Sequence, residues 1–120
     1  MIKYRVSILG TTYQIKEVDW AADELLKAYG WTGYCNETSK LIVYAQPSTL
    51  PDKEMMTADE LALELKQTLR HEIIHAFLSE SGLSGCSSPA EVWATNEEMV
   101  DYFAIQLPKI IAVCQELDIL

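Results

Sequence analysis

The sequence is poor in cysteine, and its cysteines are not paired. Cys35, Cys86 and Cys114 are an odd number at unrelated spacings, and no C-x-x-C pattern occurs. A disulfide framework normally needs an even number of cysteines, so this pattern argues against one. We therefore expect a protein of a reducing compartment, the cytoplasm.

Long apolar runs are also missing. No stretch approaches the length of a membrane span, and in residues 1–10 the apolar side chains alternate with polar ones, so no signal-peptide core is present. The chain has 120 residues, of which 49% are hydrophobic and 22% charged, which is typical of a globular protein. We expect one soluble domain, residues 1–120, without a membrane partner.

Positive charge is scarce. The chain has 9 Lys and Arg against 18 Asp and Glu, a net charge of -9. A nucleic-acid partner would require a basic face that replaces phosphate counterions, so we expect no such partner. The acidity is explained by solubility alone, and nothing in the sequence indicates an oligomeric state.

The first half of the chain has the alternation of β-strands. Apolar and polar residues alternate in 2–17 and again in 33–45, which predicts two hairpins around a short helix or helical loop in 19–29. Residues 41–45 are the most apolar of these and are predicted to form the most buried strand.

The second half has helical spacing. Thr57-Ala-Asp-Glu60 is a capping box, which predicts a helix over about 57–81 that ends at Gly82. Its residues 73–78 are apolar nearly all round, so we expect protein on every side of them. A Gly- and Ser-rich loop, 81–91, precedes a second helix over about 95–118, whose apolar stripe runs from Met99 to Cys114 and which Pro108 bends without ending. Strands followed by helices predict an α+β fold, with an antiparallel or mixed sheet of about four short strands packed on the two helices.

The strongest functional signal lies in the first of these helices. His71-Glu72-Ile-Ile-His75 is an H-E-x-x-H motif. Residues four apart lie on one helix face, so both imidazoles can bind one zinc ion, and Glu72 beside them can act as general base on a zinc-bound water. The alternative is that the two histidines are ordinary packed residues.

Catalytic zinc normally takes three protein ligands, and the chain has only two histidines. The third ligand must therefore be a carboxylate or a thiolate. At about 100° per residue, Glu97 and Asp101 lie together at the border of the apolar stripe, whereas Glu98 lies on the polar side, so we favour Glu97. Asp101 can then accept the outer N–H of a zinc-bound histidine. The alternative is that these acids only stabilise the start of a helix.

H-E-x-x-H followed by N-E-x-x-x-D resembles the gluzincin branch of zinc metallopeptidases, in which a glutamate on a downstream helix is the third ligand. The resemblance covers His71, Glu72, His75, Glu97 and Asp101. The segments L-R-H-E-I-I-H-A-F-L-S-E-S-G-L and N-E-E-M-V-D-Y-F-A-I-Q-L-P-K also resemble short phage and prophage proteins of Gram-positive bacteria.

The resemblance implies a small zincin-like fold, one Zn²⁺ per chain and hydrolysis of a protein or peptide substrate, in the host cytoplasm if the gene is phage-borne. In such folds an edge strand pairs with the extended substrate, and residues 41–45 are our candidate for it.

The chain departs from larger gluzincins in one respect. Those enzymes stabilise the oxyanion with a further histidine or a tyrosine; no third histidine exists here, and the candidates are Tyr102 and Tyr44.

Three other readings stay open. A deformylase-like amidase would complete the metal site with Cys35, although the residues around Cys35 do not match that family. A catalytically silent binding or regulatory protein, either zinc-stabilised or free of metal, is another. An enzyme inhibited by its own apolar end, residues 117–120, is the third.

Overall fold

The structure is a computed structural model that describes residues 1–86, 96–116, 118 and 120. The strands are β1 (Ile2–Ile8), β2 (Thr11–Val18), β3 (Gly33–Asn36) and β4 (Leu41–Ala45), and the α-helices are α1 (Glu24–Tyr29), α2 (Ala58–Glu80), α3 (Leu83–Cys86) and α4 (Glu97–Glu116). Among these described helices, none combines the length and the apolar character needed to cross a membrane.

The four strands form one mixed sheet in the order β1-β2-β4-β3. β1 with β2 and β3 with β4 are antiparallel hairpins, whereas β2 and β4 run parallel. The first hairpin turns at Leu9 and Gly10, whose φ angles are 50° and 90°. Both angles lie in the left-handed region, which the glycine adopts without steric cost. The predicted α+β class, the four-stranded sheet and both hairpins are confirmed.

The position of β4 corrects one expectation. β4 is the most buried strand, as predicted, but it lies between β2 and β3 and therefore has no free edge. The parallel pairing of β2 with β4 occupies one side and the β3 hairpin the other. β3 is an edge strand of the sheet and packs beside α2.

Helix α2 packs one face on the sheet. Thr57 and Glu60 form the predicted capping box, with each side chain bonded to the other residue's backbone N–H. Side chains spaced three or four apart on this face cover the core of the sheet; they are Leu65, Leu69, Ile73 and Ala76, against Ile8, Tyr13, Ile15, Ile42 and Tyr44. Another face of α2 packs against α4.

Two details of the middle of the chain differ from expectation. In α2, Ala76 is buried but Phe77 is 42% exposed, so the apolar half of the helix is not surrounded on every side. In the predicted loop 81–91, the chain turns at Gly82, where φ is 83°, and then forms α3. Residues 87–91 of that loop lie outside the described residues.

Helix α4 packs against α2 and continues through Pro108, as predicted. The predicted start at 95 lies outside the described residues, and the helix ends at Glu116. Of the α4 side chains whose burial the structure describes, Val100 and Ala104 are buried, whereas Phe103, Ile110 and Ile111 of the predicted stripe are 38%, 39% and 37% exposed. Among the stripe residues whose burial the structure describes, Val100 is thus buried whereas Phe103, Ile110 and Ile111 are not.

Candidate metal centre

A cleft of about 890 Å³ lies between β3, α2 and α4. Helix α2 supplies its floor, because Glu64, Thr68, His71 and His75 repeat at three- and four-residue spacing on the side of the helix that does not face the core. Several carboxylates line the cleft, and no Lys or Arg is among the described residues that do so. Its negative charge is therefore not neutralised by a protein cation at the cleft wall.

The two histidines of the motif point into this cleft. His71 Nε2 and His75 Nε2 are 3.1 Å apart, and the rings meet edge to face with centroids 4.8 Å apart. Both side chains are largely shielded, 19% and 17% exposed. Residues four apart on a helix have thus brought two nitrogen atoms to one point, as the motif predicts they can.

Glu97, the first residue of α4, places its carboxylate against both histidines. Its Oε2 is 3.1 Å from His71 Nε2, and its Oε1 is 3.1 Å from His75 Nε2. Glu98 is exposed and does not line the cleft. Of the two adjacent glutamates, the geometry thus selects Glu97.

These three side chains satisfy a simple geometric test for a metal site. In tetrahedral zinc coordination with bonds of about 2.0–2.1 Å, neighbouring ligand atoms are about 3.3 Å apart. The contacts of 3.1 to 3.3 Å among His71, His75 and Glu97 match the edges of one face of such a tetrahedron. In the part of the chain that the structure describes, His71, His75 and Glu97 are the group of His, Cys, Asp and Glu side chains close enough to share an ion.

Asp101 supports this group from one turn further along α4. Its Oδ1 is 2.6 Å from Nδ1 of His71, the ring nitrogen that faces away from Glu97. With the His71 proton on Nδ1, this contact leaves Nε2 free to act as a ligand.

Glu72 lies deeper than the histidines. Its residue is 6% exposed, and its Oε1 is 4.0 Å from His71 Nε2. Burial is the main cause that raises the pKa of the Glu72 carboxyl from 4.5 to about 7; His71 lowers this pKa, and Glu97 and Asp101 raise it. No described residue forms a hydrogen bond with this carboxyl, which lines the cleft and is therefore available to a molecule bound there.

The structure does not bring the two candidate oxyanion tyrosines to the cleft. Tyr44 is buried on the sheet and donates its hydroxyl to Glu17 Oε2 at 3.0 Å, and Tyr102 is 54% exposed and packs edge to face on Phe103. Neither side chain lines the cleft. The segment 117–120 includes residues 117 and 119, which lie outside the described residues, so its predicted inhibitory role stays a prediction.

Cys35 does line the cleft, but it is not part of the close group of ligand atoms among the described residues. Cys35 therefore does not meet the geometric test that Glu97 meets. Burial, followed by the nearby charge of Glu72, raises the pKa of its thiol to about 12.

Sequence reasoning missed the residues that hold β3 against α2. The Thr32 and Thr68 hydroxyls are 3.0 Å apart, and a Cβ on Gly33 would lie 2.7 Å from Thr68 Cγ2. The signal available was Gly33 itself, since glycine inside a strand often marks close approach of another element. This contact forms the wall of the cleft opposite α4.

Comparison with known protein families, curated proteins and solved structures finds no match to this chain.

Proposed function

We propose that this protein is a zinc-dependent peptidase of the gluzincin type, with His71, His75 and Glu97 as metal ligands and Glu72 as general base. The observation that carries the proposal is the triangle of ligand atoms, with sides of 3.1 to 3.3 Å, that converges in a cleft with uncompensated negative charge. Two imidazoles and one carboxylate leave a fourth position for water, which is the composition of a catalytic rather than a structural zinc site.

The chemistry follows from the residues around that triangle. When bound in such a site, zinc makes water far more acidic and polarises a carbonyl group. Glu72, buried beside the triangle, is placed to take a proton from the attacking water and then give it to the leaving amine. Asp101 orients His71 through its Nδ1.

The substrate class and biological setting rest on the motif resemblance. Gluzincins cleave peptide bonds, and the cleft is lined in part by β3, an edge strand of the kind to which an extended peptide can add. We therefore propose a zincin-like domain that acts on a protein or peptide, encoded by a phage or prophage and active in the host cytoplasm.

Metal content by mass spectrometry, on protein purified without added metal, is the deciding test. We expect one zinc per chain in the parent, a large loss in Glu97→Gln, and no change in Glu98→Gln. Glu98→Gln is a matched control, because it removes the same charge from the neighbouring residue, whose side chain is exposed. Equal metal content in both variants would show that Glu97 is not a ligand.

A second candidate is a catalytically silent binding protein, favoured by the absence of Tyr44 and Tyr102 from the described cleft lining. In that case Glu97 and Asp101 would act only as ion-pair partners of a protonated His71, whose two ring nitrogens they contact. Protein that takes up no metal even after zinc addition would support this candidate and exclude the peptidase.

A further inference from the structure

Helix α4 contains a gap in its own backbone hydrogen bonding. In an α-helix, the N–H of residue 108 would bond to the carbonyl of residue 104, but Pro108 has no N–H. The carbonyl of Ala104 therefore lacks its regular partner inside the helix. Ala104 is also buried, 2% exposed, so water is a poor substitute.

Arg70 of α2 fills this gap. Its Nε donates a hydrogen bond to the carbonyl oxygen of Ala104. No carboxylate pairs with Arg70 in the described parts of the chain, although Asp and Glu outnumber Lys and Arg two to one. The guanidinium is thus used to tie the two helices together through a main-chain atom.

The two ends of this contact adjoin the candidate metal ligands. Arg70 directly precedes His71, and Ala104 lies one turn after Asp101 on the face of α4 that also carries Glu97. A shift of α4 along α2 would break this bond and would separate Glu97 and Asp101 from the histidines by the same amount.

We propose that Arg70 and Pro108 form a latch that sets the position of α4 on α2, with Arg70 as a positioning residue for the metal centre. The part that concerns metal affinity rests on the proposed function, whereas the coupling between Arg70 and Pro108 does not. Side chains that orient metal ligands typically contribute 10- to 100-fold to metal affinity, which sets the scale of the effect.

The latch can be tested with Arg70→Met, Pro108→Ala and the double variant, compared with the parent. Alanine at 108 restores the N–H that can bond to the Ala104 carbonyl, so the latch predicts that Arg70 matters less in that background. Lys66→Met is the control, since it removes a cation from an exposed position one turn earlier on α2. Zn²⁺ affinity, the visible spectrum of bound Co²⁺, and urea unfolding of the metal-free protein are measured for each.

In the parent background we expect Arg70→Met to weaken Zn²⁺ binding about tenfold and to alter the Co²⁺ spectrum. In the Pro108→Ala background we expect Arg70→Met to change Zn²⁺ affinity by less than about threefold. Lys66→Met should change neither the Zn²⁺ affinity nor the Co²⁺ spectrum. Equal losses in both backgrounds, or unchanged affinity in Arg70→Met, would overturn the latch while leaving the metal site standing.

A parent that binds no metal would overturn the proposed function instead. The latch is then decided by urea unfolding alone: a smaller effect of Arg70→Met on the unfolding midpoint in the Pro108→Ala background supports it, and purely additive effects overturn it.

Discussion

Asp101 Oδ1 lies 2.6 Å from His71 Nδ1, on the side of the ring opposite the candidate metal position. The contact joins the second turn of α4 to the turn of α2 that carries His71, and it orients the ring of that histidine. In metal sites, such contacts orient the histidine ring and raise the basicity of the nitrogen that binds the metal.

Asp101→Ala should therefore weaken Zn²⁺ binding by about 10- to 100-fold without abolishing it. Asp101→Asn should fall between this variant and the parent, because the amide oxygen can still accept the His71 proton but carries no charge. Competition with a zinc chelator gives the affinities, and Glu98→Ala on the same helix turn is the control. Unchanged affinity in Asp101→Ala would contradict the assigned role.

Glu72→Gln separates metal binding from catalysis. The glutamine has the same shape but cannot take up a proton, so we expect full zinc content with hydrolysis of a peptide library reduced by at least about 100-fold. Mass spectrometry of the library products measures both the extent of cleavage and the sequence preference around the cleaved bond. Glu98→Gln, on an exposed side chain that does not line the cleft, should cleave as the parent does. A Glu72→Gln variant as active as the parent would remove Glu72 from the mechanism.

The parts of the fold that depend on local patterns were predictable. The two hairpins, the Thr57 capping box and the continuation of α4 through Pro108 follow from alternation, turn residues and helical spacing. The pairing of Glu97 rather than Glu98 with the histidines also follows from helical geometry, because only one of two adjacent residues can face α2.

The parts that depend on distant contacts were not predictable. Strand order required the parallel pairing of β2 with β4, which no local pattern records. The exposure of Ile110 and Ile111 depends on where α4 crosses α2, since an apolar stripe shows which face can be buried but not how far along it a partner extends. The Arg70 contact was missed for the same reason: Pro108 predicted a bend, and the residue that reaches the freed carbonyl comes from another helix.

Cys35→Ser distinguishes the peptidase from a deformylase-like amidase. Cys35 lines the cleft but is not in the group of converging ligand atoms among the described residues. We therefore expect zinc content per chain, measured by mass spectrometry, to be unchanged by the substitution. A loss comparable to that in Glu97→Gln would instead make the thiolate a ligand.

Gly33→Ala should destabilise the wall of the cleft. The added Cβ would lie 2.7 Å from Thr68 Cγ2 of α2 and 2.9 Å from the Val43 carbonyl oxygen of β4, so β3 must shift relative to both elements. Overpacking of this kind costs about 1–3 kcal/mol, measurable as a lower urea midpoint.

Thr68→Ser removes the methyl group but keeps the hydroxyl that meets Thr32, so it should recover part of the stability lost in Gly33→Ala. Gly30→Ala is the comparison: that residue has φ of 67° and no atom within 4 Å of an added Cβ, so its cost comes from backbone strain and should not change with Thr68→Ser. Equal effects of Thr68→Ser in both backgrounds would contradict the proposed clash.

Glu80 ties the end of α2 to the sheet and should make stability depend on acid pH. Its carboxylate accepts hydrogen bonds from Lys40 Nζ at 2.6 Å, Tyr13 OH at 2.8 Å and Thr11 Oγ1 at 2.8 Å. The bonds from Lys40, then Tyr13, then Thr11 lower the pKa of Glu80 from 4.5 to about 2. Because the folded-state pKa is the lower one, the charged carboxylate stabilises the fold fully above about pH 4.5 and loses that contribution as pH falls toward 2.

The urea midpoint of metal-free parent should therefore exceed that of Glu80→Gln by a constant amount from pH 7 to about pH 5, and the difference should shrink steadily between about pH 4.5 and 2. Metal-free protein is used because release of any bound metal on acidification would add its own pH dependence. Glu24→Gln, which removes an exposed glutamate paired with Lys27, should differ from the parent little at any pH. Suppose instead that the difference in urea midpoint between the parent and Glu80→Gln stays constant down to pH 2.5. The three hydrogen bonds then do not favour the charged carboxylate, and the contribution of Glu80 to stability does not depend on its charge.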